Sequence, residues 1–192
     1  QLMLPLFTVL VCCMVLFLTA ISELLLFLLV SDEYRGAGIV VFALSLTKAV
    51  EAIGSMTGLG ISLAKKSYLK LYSHLLMILI SVLVLPLLSK SFGLAGLAFG
   101  SLIAMVAWAI LETHFSQRVH PIDWRFTNTI LILLITLFFG SVDQITLTSY
   151  TVRGVSLIPL LGILSIIFVA WFKVFDFAHR SLLTQFLHQK MR

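Results

Sequence analysis

Charged side chains are scarce in this chain, and they make up only 11% of its 192 residues. A soluble domain carries about 25% charged residues, so this chain has too little charge to cover a water-facing surface. The shortage argues against a cytosolic enzyme, a nucleic-acid-binding protein and a disordered tail. Hydrophobic residues make up 60% of the chain, and its mean hydropathy is +1.13. The composition therefore predicts an integral membrane protein.

Cysteines and catalytic motifs are scarce as well. The two cysteines, Cys12 and Cys13, are adjacent within an apolar run, which suits neither a structural disulfide nor a metal site. The sequence has no nucleophile–base pair and no glycine-rich phosphate loop, so we predict no enzyme, no metal and no cofactor. The first apolar run lacks a basic n-region and a cleavage site, so we do not expect a signal peptide. Because Gln1 is not Met, we expect the chain to be a fragment of a longer protein.

Long apolar runs are abundant instead. Six of them approach the roughly 20 residues that a membrane-spanning helix needs, and they cover about residues 2–30, 37–64, 71–88, 94–111, 126–142 and 154–172. The runs lack the alternation of membrane strands, and a helix satisfies its own backbone in lipid. We predict an all-α, polytopic membrane bundle of about six helices over residues 1–172. A basic cytoplasmic tail follows at 173–192, and the turn at 89–93 predicts an antiparallel hairpin.

Lysine and arginine divide unevenly between the connections. The second and fourth connections and the C-terminal tail hold nine of them: Lys65, Lys66, Lys70, Arg118, Arg125, Lys173, Arg180, Lys190 and Arg192. The other three connections hold Arg35, Lys90 and Arg153. Because Lys and Arg collect on the cytoplasmic side of membrane proteins, the division predicts that both ends of the chain are cytoplasmic.

Lys48 is the one basic residue inside a predicted span, about 16 Å of helix from its start. Glu51 lies three residues later, so the two side chains share a helix face. A charge at that depth costs several kcal/mol and normally faces a bundle interior or a wet cavity. The pair either neutralises itself and locks the helix against its neighbours, or lines a translocation path. Glu23 in the first span is either a salt-bridge partner of Lys48 or a proton or cation site.

Small residues recur at helical spacing in two places. Gly54 and Gly58 form one G-xxx-G pattern, and Gly96 and Gly100 form another. Such spacing lets two helix backbones approach closely, so we predict that these glycines pack helices together. The alternative is that they are flexing points in a helix that moves.

Four short motifs follow one another between about residues 30 and 125. They are DEYRGA at 32–37, GLGI at 58–61 followed by Lys65 and Lys66, FGLAGLA at 92–98, and SQRVHPIDW at 116–124. They look like the Y-x-x-A turn, the helix end with basic residues behind it, the G-L-x-G-A-A helix start and the Arg-x-x-Pro-aromatic connection of polysaccharide flippases. The chain thus resembles O-antigen and capsule flippases of the Wzx type, in the multidrug/oligosaccharidyl-lipid/polysaccharide (MOP) exporter superfamily.

The resemblance implies that the chain is the C-terminal part of a MATE/MOP-like two-lobe fold in the bacterial inner membrane. Its implied activity is to flip an undecaprenyl-diphosphate-linked oligosaccharide across that membrane for O-antigen, capsule or exopolysaccharide assembly. The implied partners are this lipid-linked substrate, membrane lipids and the polysaccharide polymerase machinery, with no nucleic acid. An anionic diphosphate needs cations to offset its desolvation, and Lys48 is the cation placed at depth.

Two other functions remain open from the sequence. A drug/cation antiporter of the same superfamily would use Glu23 and Glu51 as cation or proton sites. A non-catalytic membrane subunit would only pack against a partner. The first alternative requires an acidic cavity, whereas a flippase for a diphosphate requires a basic one.

Overall fold

A computed structural model of the chain describes residues 3–29, 37–122, 124, 126–149 and 157–171, apart from the side chains of 23, 27, 29 and 146–149. The helices are α1 (Met3–Leu29), α2 (Gly38–Thr57), α3 (Leu59–Leu63), α4 (Tyr68–Val119), α5 (Phe126–Ser149) and α6 (Leu157–Trp171). No strand occurs in these ranges. The described part of the chain is therefore an all-α bundle, as the apolar runs predict.

Four stretches are long and apolar enough to cross a membrane, and they comprise Met3–Ser22, Gly38–Leu63, Tyr68–Val119 and Phe126–Ile145. α6 is a shorter apolar helix. Because helical residues rise about 1.5 Å each, the 20 residues of α2 match the roughly 30 Å thickness of a bilayer core.

α4 is a helical hairpin, and its chain reverses at Gly93. This residue has φ 58° and ψ −133°, a combination that glycine adopts without a steric penalty. The first arm (residues 68–92) and the second arm (94–119) lie antiparallel, because Gly96 faces Leu88 and Gly100 faces Leu85. The turn at 89–93 does produce the antiparallel hairpin that its length predicts. It is tighter than expected, because the helix continues through Lys90 and Ser91.

α2 and α3 together correspond to the second predicted span. Gly58 separates them, and α3 ends one turn later with Lys65 at φ 56°. The amide of Lys65 donates to the carbonyl of Ser62, and the amide of Lys66 donates to that of Ile61. This is the Schellman pattern that satisfies the last carbonyls of a helix. It ends α3 at the side of the bundle that carries Lys65, Lys66 and Lys70, which we call the basic end.

Two apolar clusters hold α1 against the other helices. The first joins α1, α5 and α6 through the buried residues Cys12, Leu16, Ile132 and Ile166. The second joins α1 and α2 through Val15, Phe42, Leu46 and Ala49. Gly140 of α5 lies directly on the ring of Phe42, so α2 sits between α1, α5 and the second arm of α4.

Two helices extend further than their apolar runs indicate. The second arm of α4 continues to Val119, so Glu112 is helical and buried instead of beginning a polar connection. α5 continues to Ser149, so Asp143 is also helical and buried. A span predicted from hydropathy ends at the first charged residue. A helix continues as long as its backbone hydrogen bonds and its packing against neighbouring helices are maintained. The predicted tail at 173–192 lies outside the described residues.

Candidate functional site

The outward face of α2 carries a polar stripe made of Lys48, Glu51 and Ser55. The Lys48 ammonium donates to a Glu51 carboxylate oxygen at 2.8 Å. Their side chains are 78% and 41% exposed, respectively. Leu44 and Leu59, which flank the stripe, are exposed as well. The predicted pair therefore exists, but it points away from the helices that the structure describes.

Lys48 is the eleventh residue of α2 and lies about 15 Å along the helix axis. A neutralising pair that locks α2 against its neighbours would be buried between helices, and this one is not. Glu23 lies on α1, but its side chain is outside the described residues, so its predicted contact with Lys48 stays a prediction. The structure brings together Lys48 and Glu51 from the predicted set.

The side of α2 next to Glu51 packs on the second arm of α4 through small residues. A Cβ added to Gly54 would lie 2.8 Å from the Trp108 ring and 2.9 Å from the Ala109 methyl. One added to Gly58 would lie 2.5 Å from Oε1 of Glu112. Backbones this close need glycine, and the two helices run parallel here because higher numbers on α2 face higher numbers on α4.

Hydroxyl groups complete this contact near the basic end. The Thr57 and Thr113 hydroxyls lie 2.6 Å apart, and the amide of Gly60 donates to the Ser116 hydroxyl at 3.1 Å. Each hydrogen bond links α2 or α3 to the second arm of α4. The second glycine pair serves a different contact, because Gly96 and Gly100 face the first arm of their own hairpin.

Glu112 is the most unusual buried side chain of this interface. Its side chain is only 2% exposed, and its Oε2 atom has no hydrogen-bond partner among the described residues. The Lys70 ammonium lies 3.8 Å from Oε1, which is an ion-pair distance too long for a hydrogen bond. A buried carboxylate held by one distant cation is a costly arrangement.

The remaining neighbours of Glu112 come from the first arm of α4 and from one turn earlier on its own helix. The His74 ring stacks edge-on against Trp108 with centroids 5.4 Å apart. Its Nδ1 lies 2.8 Å from the carbonyl oxygen of Lys70, and a carbonyl only accepts, so Nδ1 carries the proton. The indole Nε1 of Trp108 is also buried and finds no hydrogen-bond partner within the described ranges.

Sequence reasoning missed the Glu112 group altogether. The apolar runs place Glu112 at the start of a polar connection, Lys70 in the second connection and His74 inside the third predicted span. The hairpin turn could have predicted this group. A reversal at Gly93 pairs positions on the two arms, and the pairing places Lys70 opposite Glu112 and His74 opposite Trp108.

These groups have limited chemical capacity. Within the described ranges, no group of three or more His, Cys, Asp or Glu residues could hold a metal ion. The exposed Lys48–Glu51 pair can meet a charged ligand, and the buried Glu112 can bind or release a proton. Comparison of the chain with protein-family models, curated proteins and solved structures finds no match.

Proposed function

We propose that this chain forms one helical lobe of a flippase that moves an undecaprenyl-diphosphate-linked oligosaccharide across the bacterial inner membrane. The single observation that carries the proposal is the 78% exposure of the Lys48 side chain halfway along an apolar helix. A charged side chain in direct contact with lipid at that depth costs several kcal/mol. A water-filled path beside the polar stripe of α2 removes that cost.

The proposed substrate of this path comes from the ordered motifs between about residues 30 and 125. They resemble those of Wzx-type flippases, whose cargo carries a diphosphate. The Lys48 ammonium offers three donors to such an anion, and the diphosphate oxygens would compete with Glu51 for them. In this arrangement the basic end faces the cytoplasm, as the division of Lys and Arg between connections predicts. The second lobe would close the path opposite α2, and alternating access would rock the two lobes.

A complementation assay tests the role of Lys48. Cells lacking the flippase are supplied with the full-length protein, and surface polysaccharide is measured alongside the amount of protein in the membrane. We expect Lys48→Ala to abolish surface polysaccharide and Lys48→Arg to retain it, because arginine keeps the charge. Leu44→Ala is the matched control, since Leu44 is exposed one turn earlier on the same face. Normal surface polysaccharide at a normal protein level in Lys48→Ala would mean that the Lys48–Glu51 pair has only a structural role.

Glu51→Gln distinguishes this function from a drug/cation antiporter. A flippase that holds a diphosphate on Lys48 keeps its activity without the Glu51 carboxylate, because the substitution leaves the cation free. An antiporter that binds its cation at Glu51 loses activity instead. Loss of transport in Glu51→Gln, with full transport in Lys48→Ala, would therefore favour the antiporter.

A further inference from the structure

A second charged site lies at the basic end of the bundle, where the second arm of α4 packs against Gly58. It consists of Glu112 and Lys70, which the α4 hairpin brings together from its two arms. We propose that Glu112 is a proton-binding site, and that Lys70 is the cation released from the carboxylate when the proton binds. This inference is independent of the transported substrate.

The Glu112 carboxylate has few partners in the part of the chain that the structure describes. Its buried Oε2 accepts no hydrogen bond there, and the Lys70 ammonium lies 3.8 Å from Oε1. Burial favours the neutral acid, whereas the cation favours the carboxylate. A stably ionised buried carboxylate normally accepts several hydrogen bonds. Within the described part of the chain this one lacks them, so binding a proton would remove a buried charge that is only partly compensated.

The two members of the pair differ in their access to water. Glu112 is enclosed, whereas the Lys70 side chain is 36% exposed and sits on a flexible stem. When Glu112 gains a proton, its attraction for Lys70 disappears and the ammonium regains its hydration outside. Proton binding therefore changes the charge presented at the basic end without requiring a helix to move.

Groups from two sides surround Glu112. Lys70 comes from the first arm of α4, with its ammonium 3.8 Å from Oε1, and His74 lies one turn further along that arm against Trp108. The junction between α2 and α3 contributes Gly58, which carries no titratable group. Gly58 lies directly against the carboxylate and offers it no side-chain partner. The protonation of Glu112 therefore depends mainly on Lys70.

Carbodiimide labelling tests the proton site directly. Dicyclohexylcarbodiimide reacts with protonated carboxyl groups in apolar surroundings, and mass spectrometry of the full-length protein in nanodiscs reports the labelled residue. We expect labelling of Glu112 to rise as the pH falls from about 9 to about 5, the range in which buried carboxyls titrate. The exposed Glu51 on the same molecules is the internal reference.

Lys70 variants separate a proton site from a structural ion pair. In Lys70→Met the midpoint of Glu112 labelling should move upward by about 1–3 pH units, because an opposite charge at this distance has that effect. In Lys70→Arg the midpoint should stay near that of the unmodified protein. Labelling that does not change with pH, that never occurs, or that keeps its midpoint in Lys70→Met would overturn the proposal.

Lysine acylation at one fixed pH tests the release of Lys70. Glu112→Gln imitates the protonated acid, so we expect Lys70 to become severalfold more reactive towards succinimidyl acetate relative to Lys66. Lys66 lies at the same end of the bundle. Unchanged relative reactivity of Lys70 would show that its ammonium does not leave Glu112 on neutralisation, and would refute that part of the proposal.

Discussion

Gly96 and Gly100 allow the cost of close packing to be measured separately from helix propensity. Both lie on the second arm of the α4 hairpin, and both face the first arm. A Cβ added to Gly96 would lie 2.5 Å from the carbonyl carbon of Leu88 and closer still to its oxygen. These are backbone atoms, and they cannot turn away. A Cβ added to Gly100 would lie 3.0 Å from a terminal methyl of Leu85 and 3.5 Å from its Cα. That methyl can move by rotation of the side chain.

We expect Gly96→Ala to destabilise the protein and Gly100→Ala to be neutral or stabilising. Replacing a helical glycine by alanine gains about 1 kcal/mol from helix propensity at either position. Overpacking costs about 1–3 kcal/mol, and it applies in full only at Gly96. Because the propensity gain is common to both variants, their difference isolates the packing cost. Gly96→Ala should therefore be less stable than Gly100→Ala by about 1–3 kcal/mol.

Equilibrium unfolding in mixed micelles with increasing SDS measures this difference. Tryptophan fluorescence follows the transition, because Trp108 is buried in the same arm. Equal stability of the two variants would refute the reasoning, since it would mean that the arms separate without cost at Leu88. Greater stability of Gly96→Ala would refute it more strongly.

Two further predictions concern the same helices and use the same unfolding assay. Gly93→Ala should cost about 1–3 kcal/mol, because φ 58° with ψ −133° is a conformation that alanine rarely adopts, whereas Ser91→Ala in the same turn should change little. A double-mutant cycle of Thr57→Val and Thr113→Val should give a coupling of roughly 0.6 kcal/mol, the average for hydrogen bonds between membrane helices. A coupling of zero would mean that the 2.6 Å contact contributes nothing to the packing of α2 on α4.

Much of the fold follows from local properties of the chain. Apolar runs of this length and without alternation can only be helices in lipid, and the short turn before Gly93 leaves room only for a hairpin. The positions of the helix ends are predicted less accurately, because hydropathy marks where charged residues begin and not where backbone hydrogen bonding stops. Glu112 and Asp143 show this, since each continues a helix that its charge was expected to end.

The candidate site divides in the same way. The depth of Lys48 and its pairing with Glu51 depend on residues three apart in one helix, and sequence spacing is sufficient to predict them. The direction in which the pair points is a tertiary property, because it depends on which face of α2 the glycines give to α4. The environment of Glu112 is tertiary as well, since Lys70 and His74 are distant in sequence and only the reversal at Gly93 brings them near.

The sequence by itself thus predicted apolar surroundings for the chain, its helices and the hairpin, because each follows from composition or from spacing within one segment. The tertiary structure decided which charges are exposed and which are buried. Lys48 looked like the costly charge at depth, yet it lies on the outside of the described helices. Glu112 looked like a connecting residue, yet it is enclosed. Burial depends on neighbours from other helices, and no single segment of the chain contains that information.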